Sequence, residues 1–279
     1  MSINKVVPIN AIELDNEKLP LAGDQKFQEI FDGTITSFSD TAGSVSVLRT
    51  GIFAGCRKLT DVSFPTCTDI SSGAFSSCTA LTSINFPMCQ YIRRDAFNGC
   101  TALVSVNFPS CVTVWDNAFY SCSALTEASF PKVTGVYSNA FYACSSLSAI
   151  SMPGCTTVSK SAFARCVKLA SVSFPRCTTI QDDAFTGCTA LVSASFPSCR
   201  SIWSSAFYAC TKLTTLIITN SNCSLANANA FYSTPMSRST YTGAFGSIYV
   251  PDAYVNSYKT RVNWSLYSSR ITGMSNLTQ

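Results

Sequence analysis

The chain has 279 residues, enough for a large core, yet only 12% of them are charged, about half the usual share. Lys and Arg number 19 against 15 Asp and Glu, so the net charge is +4, and histidine is absent. With no block of five or six basic residues, neither nucleic acid nor an anionic membrane is indicated as a partner, and the sequence has no apolar run long enough for membrane insertion.

Residues 1–32 fit no repeat and are expected to form an N-terminal attachment or capping segment. The stretch carries Glu13, Asp15 and Glu17 where a signal peptide would be apolar, so Sec export of the chain as written is not expected. Its opening, MSINKVV, is similar to the starts of bacteriophage structural proteins. That resemblance implies contacts with other virion proteins through this segment. Residues 33–50 read as an imperfect first coil, with Val45 and Leu48 on the second-strand columns of the repeat that follows.

From 51 to 232 the sequence repeats every 22 residues, and such a period decides the fold. Phe53, Phe75, Phe97, Phe119, Phe141, Phe163, Phe185 and Phe207 form one column, and Leu59 to Leu213 form another at the same spacing. Phe64, Phe86, Phe108, Phe130, Met152, Phe174 and Phe196 form a third, each followed by proline. A 22-residue unit cannot enclose a core alone, but coils stacked in register bury each Phe and Leu against its copies. The predicted fold is therefore a repeat solenoid of about eight coils with parallel β-ladders, short helical turns and terminal caps. Leu81 to Phe86 typifies the main strand, which ends at proline because proline lacks a ladder donor. Cys89 to Arg93 typifies a second short strand, and Ala96 to Cys100 a tight helical turn.

Fourteen of the fifteen cysteines fall in two further columns. Cys56 to Cys210 lie three residues after Phe, and Cys67, Cys89, Cys111, Cys155, Cys177 and Cys199 three after the residue before proline; Val133 fills the one gap and Cys223 lies outside both. A site that accepts Val or Cys is small and apolar, so buried free thiols are the preferred reading. Disulfides between stacked coils are sterically conceivable, but an odd count and no export signal weigh against them. Zinc is disfavoured by the lack of CxxC and of histidine, so no metal and no cofactor are expected.

The pattern A-F-x-x-C-x-x-L-x-x-I-x-F-P, as in Ala74 to Pro87 and Ala96 to Pro109, resembles the BspA-like, Treponema pallidum type of leucine-rich repeat. It covers about Gly51 to Ile218, some 60% of the chain. Family members are mostly surface or secreted bacterial proteins engaged in adhesion, so the resemblance implies a leucine-rich-repeat stack used for recognition, without catalytic residues.

Function belongs in outward columns that vary between coils. The exposed face of the main strand is uniform: Ser83, Asn85, Ser105, Asn107, Ser129, Ser151, Ser171, Ser173, Ser193 and Ser195. Two other columns carry aromatics in the same three coils, Trp115 with Tyr120, Tyr137 with Tyr142, and Trp203 with Tyr208. They are expected to be neighbours across one edge, with Arg93 and Arg94 beside them. Rigid amphipathic rings suit a host cell-surface glycan or protein; the plain alternative is that they shield the Phe column.

After Ile218 the repeat drifts, and residues 233–279 read as a C-terminal cap. Asp252 is placed to cap a helix carrying Tyr254, Tyr258 and Val262 on one face, and Trp264 and Tyr267 to cover the last coil. No GxSxG or P-loop occurs, and without histidine a nucleophile lacks its usual base, so catalysis is not expected. The sequence thus points to a non-enzymatic recognition or adhesion protein of a virion or extracellular surface, or else to a passive virion spacer. Homo-oligomerisation is compatible with either.

Overall fold

The computed structural model describes residues 13–14, 17–18, 29–30, 32–237 and 245–277. Most of the segment read as an attachment region, including MSINKVV, lies outside the described residues. Within it, Glu13–Leu14 pairs antiparallel with Glu17–Lys18, and Ile30 packs against the first coils.

The rest is a right-through stack of coils, each contributing a three-residue main strand and a two-residue second strand. Coils 1 to 9 carry the main strands Ser37–Ser39, Asp61–Ser63, Ser83–Asn85, Ser105–Asn107, Glu127–Ser129, Ala149–Ser151, Ser171–Ser173, Ser193–Ser195 and Thr215–Ile217. Their second strands, from Val47–Leu48 to Ser224–Leu225, form one continuous nine-stranded parallel sheet. The register follows the repeat: Val106 pairs with Ala128 and Val114 with Val136, each 22 residues on.

The ladder of main strands is divided into three sheets, with breaks after coil 3 and coil 6. Both breaks follow an isoleucine, Ile84 or Ile150, which is half-buried where the neighbouring coils bury Val or Ala. The ring column loosens at the same places, since Phe86 and Phe108 stand 6.2 Å apart and Met152 replaces a ring. Bulk alone does not set the breaks, because the same column carries Phe38, Leu216 and Ile248 in strands that remain paired.

Phenylalanine dominates the core. Along the column from Phe53 to Phe231, adjacent rings lie 5.1–5.5 Å apart and within 10° of parallel. Coil 1 has Asp40 at the position of the second Phe column, yet the stack is completed by Phe38, whose ring lies 5.2 Å from that of Phe64. The buried Asp40 carboxylate accepts hydrogen bonds from the Val45 and Ser44 amides, at 2.8 and 3.2 Å, so its charge is not left bare.

The segment around Ala-Phe departs from the helical turn that the sequence suggested. It is a chain of tight turns with two left-handed residues per coil, two before and two after Phe, such as Asn139 (φ 56°) and Ala143 (φ 57°) flanking Phe141. Glycine serves at some of these places, as at Gly99 and Gly187, but Ser121, Ala143, Arg165 and Ala209 pay the steric cost of a Cβ there. A helix cannot accommodate this alternation.

All fifteen cysteines are free and buried. In the first column each thiol from Cys78 to Cys210 donates to the Phe carbonyl of the preceding coil, as from Cys78 to Phe53 at 3.0 Å and Cys144 to Phe119 at 3.1 Å, while Cys56 reaches the Ile30 carbonyl. In the second column each bonds the carbonyl two residues on, as Cys111 to Thr113 at 3.3 Å. Cys223 proves to belong to this second column, because two extra residues in coil 9 bring its Sγ to 3.7 Å from that of Cys199. Burial pushes Cys56, Cys67 and Cys155 up to about 11 and Cys111 to about 12, from an ordinary 9.0; Cys100 and Cys122, deeper in the stack, rise further for the same reason.

At the C-terminal end, Ser247–Val250 extends the main sheet from Thr215–Ile217, and Ile271–Gly273 extends it again. The buried Tyr258 hydroxyl donates to the Asn220 carbonyl at 2.6 Å and accepts from the Cys223 amide at 3.1 Å. Trp264 Nε1 donates to the Cys223 carbonyl at 2.9 Å, and the rings of Trp264 and Tyr267 pack on Phe231. The expected stripe of Tyr254, Tyr258 and Val262 is not formed. The α-helix spans only Val255–Thr260, so Tyr254 precedes it and Val262, 81% exposed, follows it. Asp252 does not cap that helix; it accepts a hydrogen bond from Ser275 Oγ at 2.5 Å, and this contact lowers its pKa.

Three outcomes are expected. Phe141→Ala, in the middle of the ring column, costs about 3–5 kcal/mol in denaturant unfolding, whereas Ala143→Gly, which relieves a left-handed Cβ, stabilises by about 1 kcal/mol. A thiol reagent at neutral pH labels almost none of the fifteen cysteines until denaturant is added; rapid native labelling of a whole column would contradict the packing. Because the folded thiols are held neutral while the unfolded chain ionises near 9.0, their contribution is complete below that pH and is lost as pH rises through 11 to 12. The denaturation midpoint should therefore fall across that alkaline window.

Candidate functional site

The two aromatic columns sit on the Ala-Phe turn. The Trp115 amide donates to the Ile92 carbonyl at 3.0 Å, which fixes this column at the end of the second strand. Two residues further, the left-handed Asn117 turns the chain so that Ala118 and Phe119 point inward and Tyr120 emerges beyond them. The Ser121 amide then donates to the Tyr142 carbonyl, locking each turn to the next at 2.8 Å.

This geometry stacks the rings along the axis of the coils. Trp115 and Tyr137 lie 5.0 Å apart at 10°, and Tyr120 and Tyr142 lie 5.0 Å apart at 5°. Each pair is made within its own column, from adjacent coils, rather than between the columns of one coil. Ring edges therefore face solvent, and faces are open only at the ends of a pair. One such end is occupied, because the Arg165 guanidinium lies 5.6 Å from the Tyr142 ring. Tyr137, by contrast, is 40% exposed, and the next residue in its column is Ser159. Trp115 Nε1 is buried and has no hydrogen-bond partner among the described residues.

Trp203 and Tyr208 are three coils away from this group. Trp203 is 40% exposed and has no ring partner among the described residues. Tyr208 stacks on Tyr232 at 5.7 Å. The sequence reading missed Tyr232, because the two-residue insertion of coil 9 moves it off the 22-residue period; its place directly after Phe231 was the available signal.

The two arginines are less available than their sequence position suggested. Arg93 grips Asp69 of the preceding coil through Nε and Nη2, at 3.0 and 2.6 Å, and lies over the Tyr91 ring. Arg94 reaches Asp116 of the following coil at 3.3 Å and is the more exposed of the two. Both anchor neighbouring coils to one another.

Among the described residues no cluster of three or more Cys, Asp or Glu is placed to hold a metal ion, and no helix is long and apolar enough to cross a membrane. Burial keeps thiols such as Cys56, Cys111 and Cys155 protonated, which removes their nucleophilic form. What the edge offers is rigid ring surface and hydroxyls, the chemistry of binding.

Known proteins agree with this architecture. A leucine-rich repeat protein from Bacteroides ovatus is 28% identical, with a TM-score of 0.56 over 74% of this chain; the chain spans 59% of that protein's length. The Treponema pallidum leucine-rich repeat protein is 23% identical over 64% of this chain and 72% of its own, with a TM-score of 0.44. A leucine-rich repeat protein from Eubacterium ventriosum is 25% identical over 63% of this chain and 43% of its own, at 0.46. None of the curated proteins matches the chain. The BspA type leucine rich repeat region matches in six copies, over residues 46–165 and 134–259. The chain therefore belongs to the BspA-type leucine-rich repeat family, whose members are typically non-enzymatic binding proteins of the cell surface or exterior.

Proposed function

We propose that this chain is a surface recognition protein that engages a host-surface glycan or protein through the aromatic edge of its coils. The observation that carries the reading is the pair of parallel ring stacks, Trp115 on Tyr137 and Tyr120 on Tyr142, on a chain of which only 12% is charged. Rings fixed in this way lose little entropy on binding and present a polar tip beside an apolar body. Tyr137 and Trp203, each 40% exposed, supply aromatic surface of the kind on which the C–H face of a sugar packs. The recognition role that is typical of the family supports the same reading.

The rod would be carried on a cell or virion surface. A virion location draws its support from MSINKVV, whose likeness to phage structural proteins implies attachment through residues 1–32. In the alternative reading the chain is a passive virion spacer whose rings merely cover the Phe column.

Binding to whole cells and to a glycan array separates these readings. A variant combining Trp115→Ala, Tyr120→Ala, Tyr137→Ala and Tyr142→Ala should bind at least about tenfold more weakly, as expected when central aromatic anchors are removed. Trp203→Ala should reduce binding separately, and circular dichroism should show that both variants retain the fold. Unchanged binding in the folded variants would remove the aromatic edge from the function, and no binding by the unaltered protein would make it a spacer.

A further inference from the structure

The chain is electrostatically lopsided. Residues 128–279 hold eleven Lys and Arg against three Asp and Glu, whereas residues 1–127 hold eight against twelve. Such asymmetry concentrates attraction for anions toward one end of the stack. On the turn that joins the main strand to the second strand, this charge borders a groove running over coils 6 to 9. One part, of about 470 Å³, is lined mainly by Thr156, Arg176, Thr178, Ser198, Arg200 and Asn220. A second part, of about 480 Å³, continues from Arg200 and Asn220 to Asn222 and Ser224.

Among the described residues no carboxylate lines either part. Arg176 and Arg200 are exposed, and neither guanidinium has an ion pair or hydrogen bond among the described residues. They differ in this from Arg93 and Arg94, which are taken up by Asp69 and Asp116. Lys132 precedes Arg176 by two coils in the same column, with Gly154 between them. A Cβ at Gly154 would meet the Val133 carbonyl at 3.0 Å, so that step of the column stays flat.

The neutral groups of the groove are equally particular. Thr156 Oγ1 donates to the Thr134 carbonyl at 2.8 Å, Thr178 Oγ1 to that of Thr156 at 3.1 Å, Ser198 Oγ to that of Pro175 at 2.7 Å, and Ser224 Oγ to that of Arg200 at 3.1 Å. Each hydroxyl has thus committed its one proton, and its remaining capacity is to accept. A ligand that satisfies the groove must bring an anionic group to the guanidinium forks and several O–H donors to the hydroxyl oxygens. A simple anion brings only the first. An acidic peptide brings the charge but would look for an apolar anchor, and among the described residues Pro197 is the sole apolar residue in the lining.

From this we infer that the groove over coils 6 to 9 binds a carboxylate-bearing polysaccharide, with Arg176 and Arg200 on its acid groups and Thr156, Thr178 and Ser198 on its hydroxyls. The inference rests on the recognition reading above and assigns it a second contact surface, on a different turn of the coil from the aromatic edge.

Polygalacturonate is the probe. Immobilised polygalacturonate should retain the full chain at low ionic strength, less so as NaCl approaches ~1 M, where charges are screened within about 3 Å. The Arg176→Gln/Arg200→Gln variant should bind at least about tenfold more weakly, corresponding to the loss of one charge-assisted contact or more. Lys168→Gln/Lys212→Gln, which removes the same charge from another column, should bind within about twofold of the unaltered protein. The aromatic quadruple variant should keep its affinity for this probe. An equal loss in both charge variants, equal retention on polyglutamate, or no retention on polygalacturonate would each overturn the assignment. If the last result came from a protein that still adheres to cells through its rings, the groove alone would fall; absence of both activities would remove the recognition reading as well.

Discussion

Every feature of this molecule depends on one constraint: each coil must return to the same position one strand spacing further along the axis. The amides of one coil then find the carbonyls of the next, as in the run from Phe97 to Ala118, Phe119 to Ala140 and Phe141 to Ala162, all at 2.8 Å. Side chains have no choice but to meet their own copies at about 5 Å, close to the separation of neighbouring strands. Only certain shapes tolerate that. A flat ring does, and the Phe column is nearly parallel throughout. The main ladder opens beside Ile84 and Ile150, where the second ring column widens to 6.2 Å or is interrupted by Met152.

The same constraint explains the choice of cysteine. Its columns lie where the coil is too narrow for a larger residue, and Val133 shows that apolar volume alone is acceptable. Yet thirteen of the fifteen thiols donate to a carbonyl one coil back or two residues on, and the Phe carbonyls they reach also accept a turn amide, as Phe53 does from Cys56. A serine hydroxyl could make this bond at a greater cost of burial, and an alanine could not make it. Cysteine supplies a weak donor at little desolvation cost. Treating it as filler alone captures the volume and misses the bond.

Periodicity made the columns legible without coordinates, because identical spacing in sequence becomes identical position in space. It could not report conformations that the period merely repeats. The left-handed residues flanking each Phe were visible as Gly73, Asp95, Asn117 and Asn139, types that tolerate positive φ, but Ala143 and Arg165 disguise the second such position. Where the count changes, the reading fails in a definite way. Two extra residues in coil 9 hid both the place of Cys223 in its column and the stacking of Tyr232 on Tyr208. In the cap, where no period operates, spacing by four suggested a helical stripe that six residues of helix are too short to make.

At the surface the constraint acts with the opposite result. Coincidence of aromatics in three coils was readable, but their partners were not, since a ring on a stacked coil meets the ring above it before it meets its neighbour on the same turn. Trp115 therefore pairs with Tyr137 and not with Tyr120. Arg93 likewise finds Asp69 one coil back. The same logic identifies what remains free: a side chain whose column neighbours are small or neutral has nothing along the axis to engage. Trp203 stands between Gln181 and Ala226, and Arg176 between Gly154 and Ser198. In a stack that satisfies its own groups so completely, such interrupted columns are where an outside molecule can supply the missing partner.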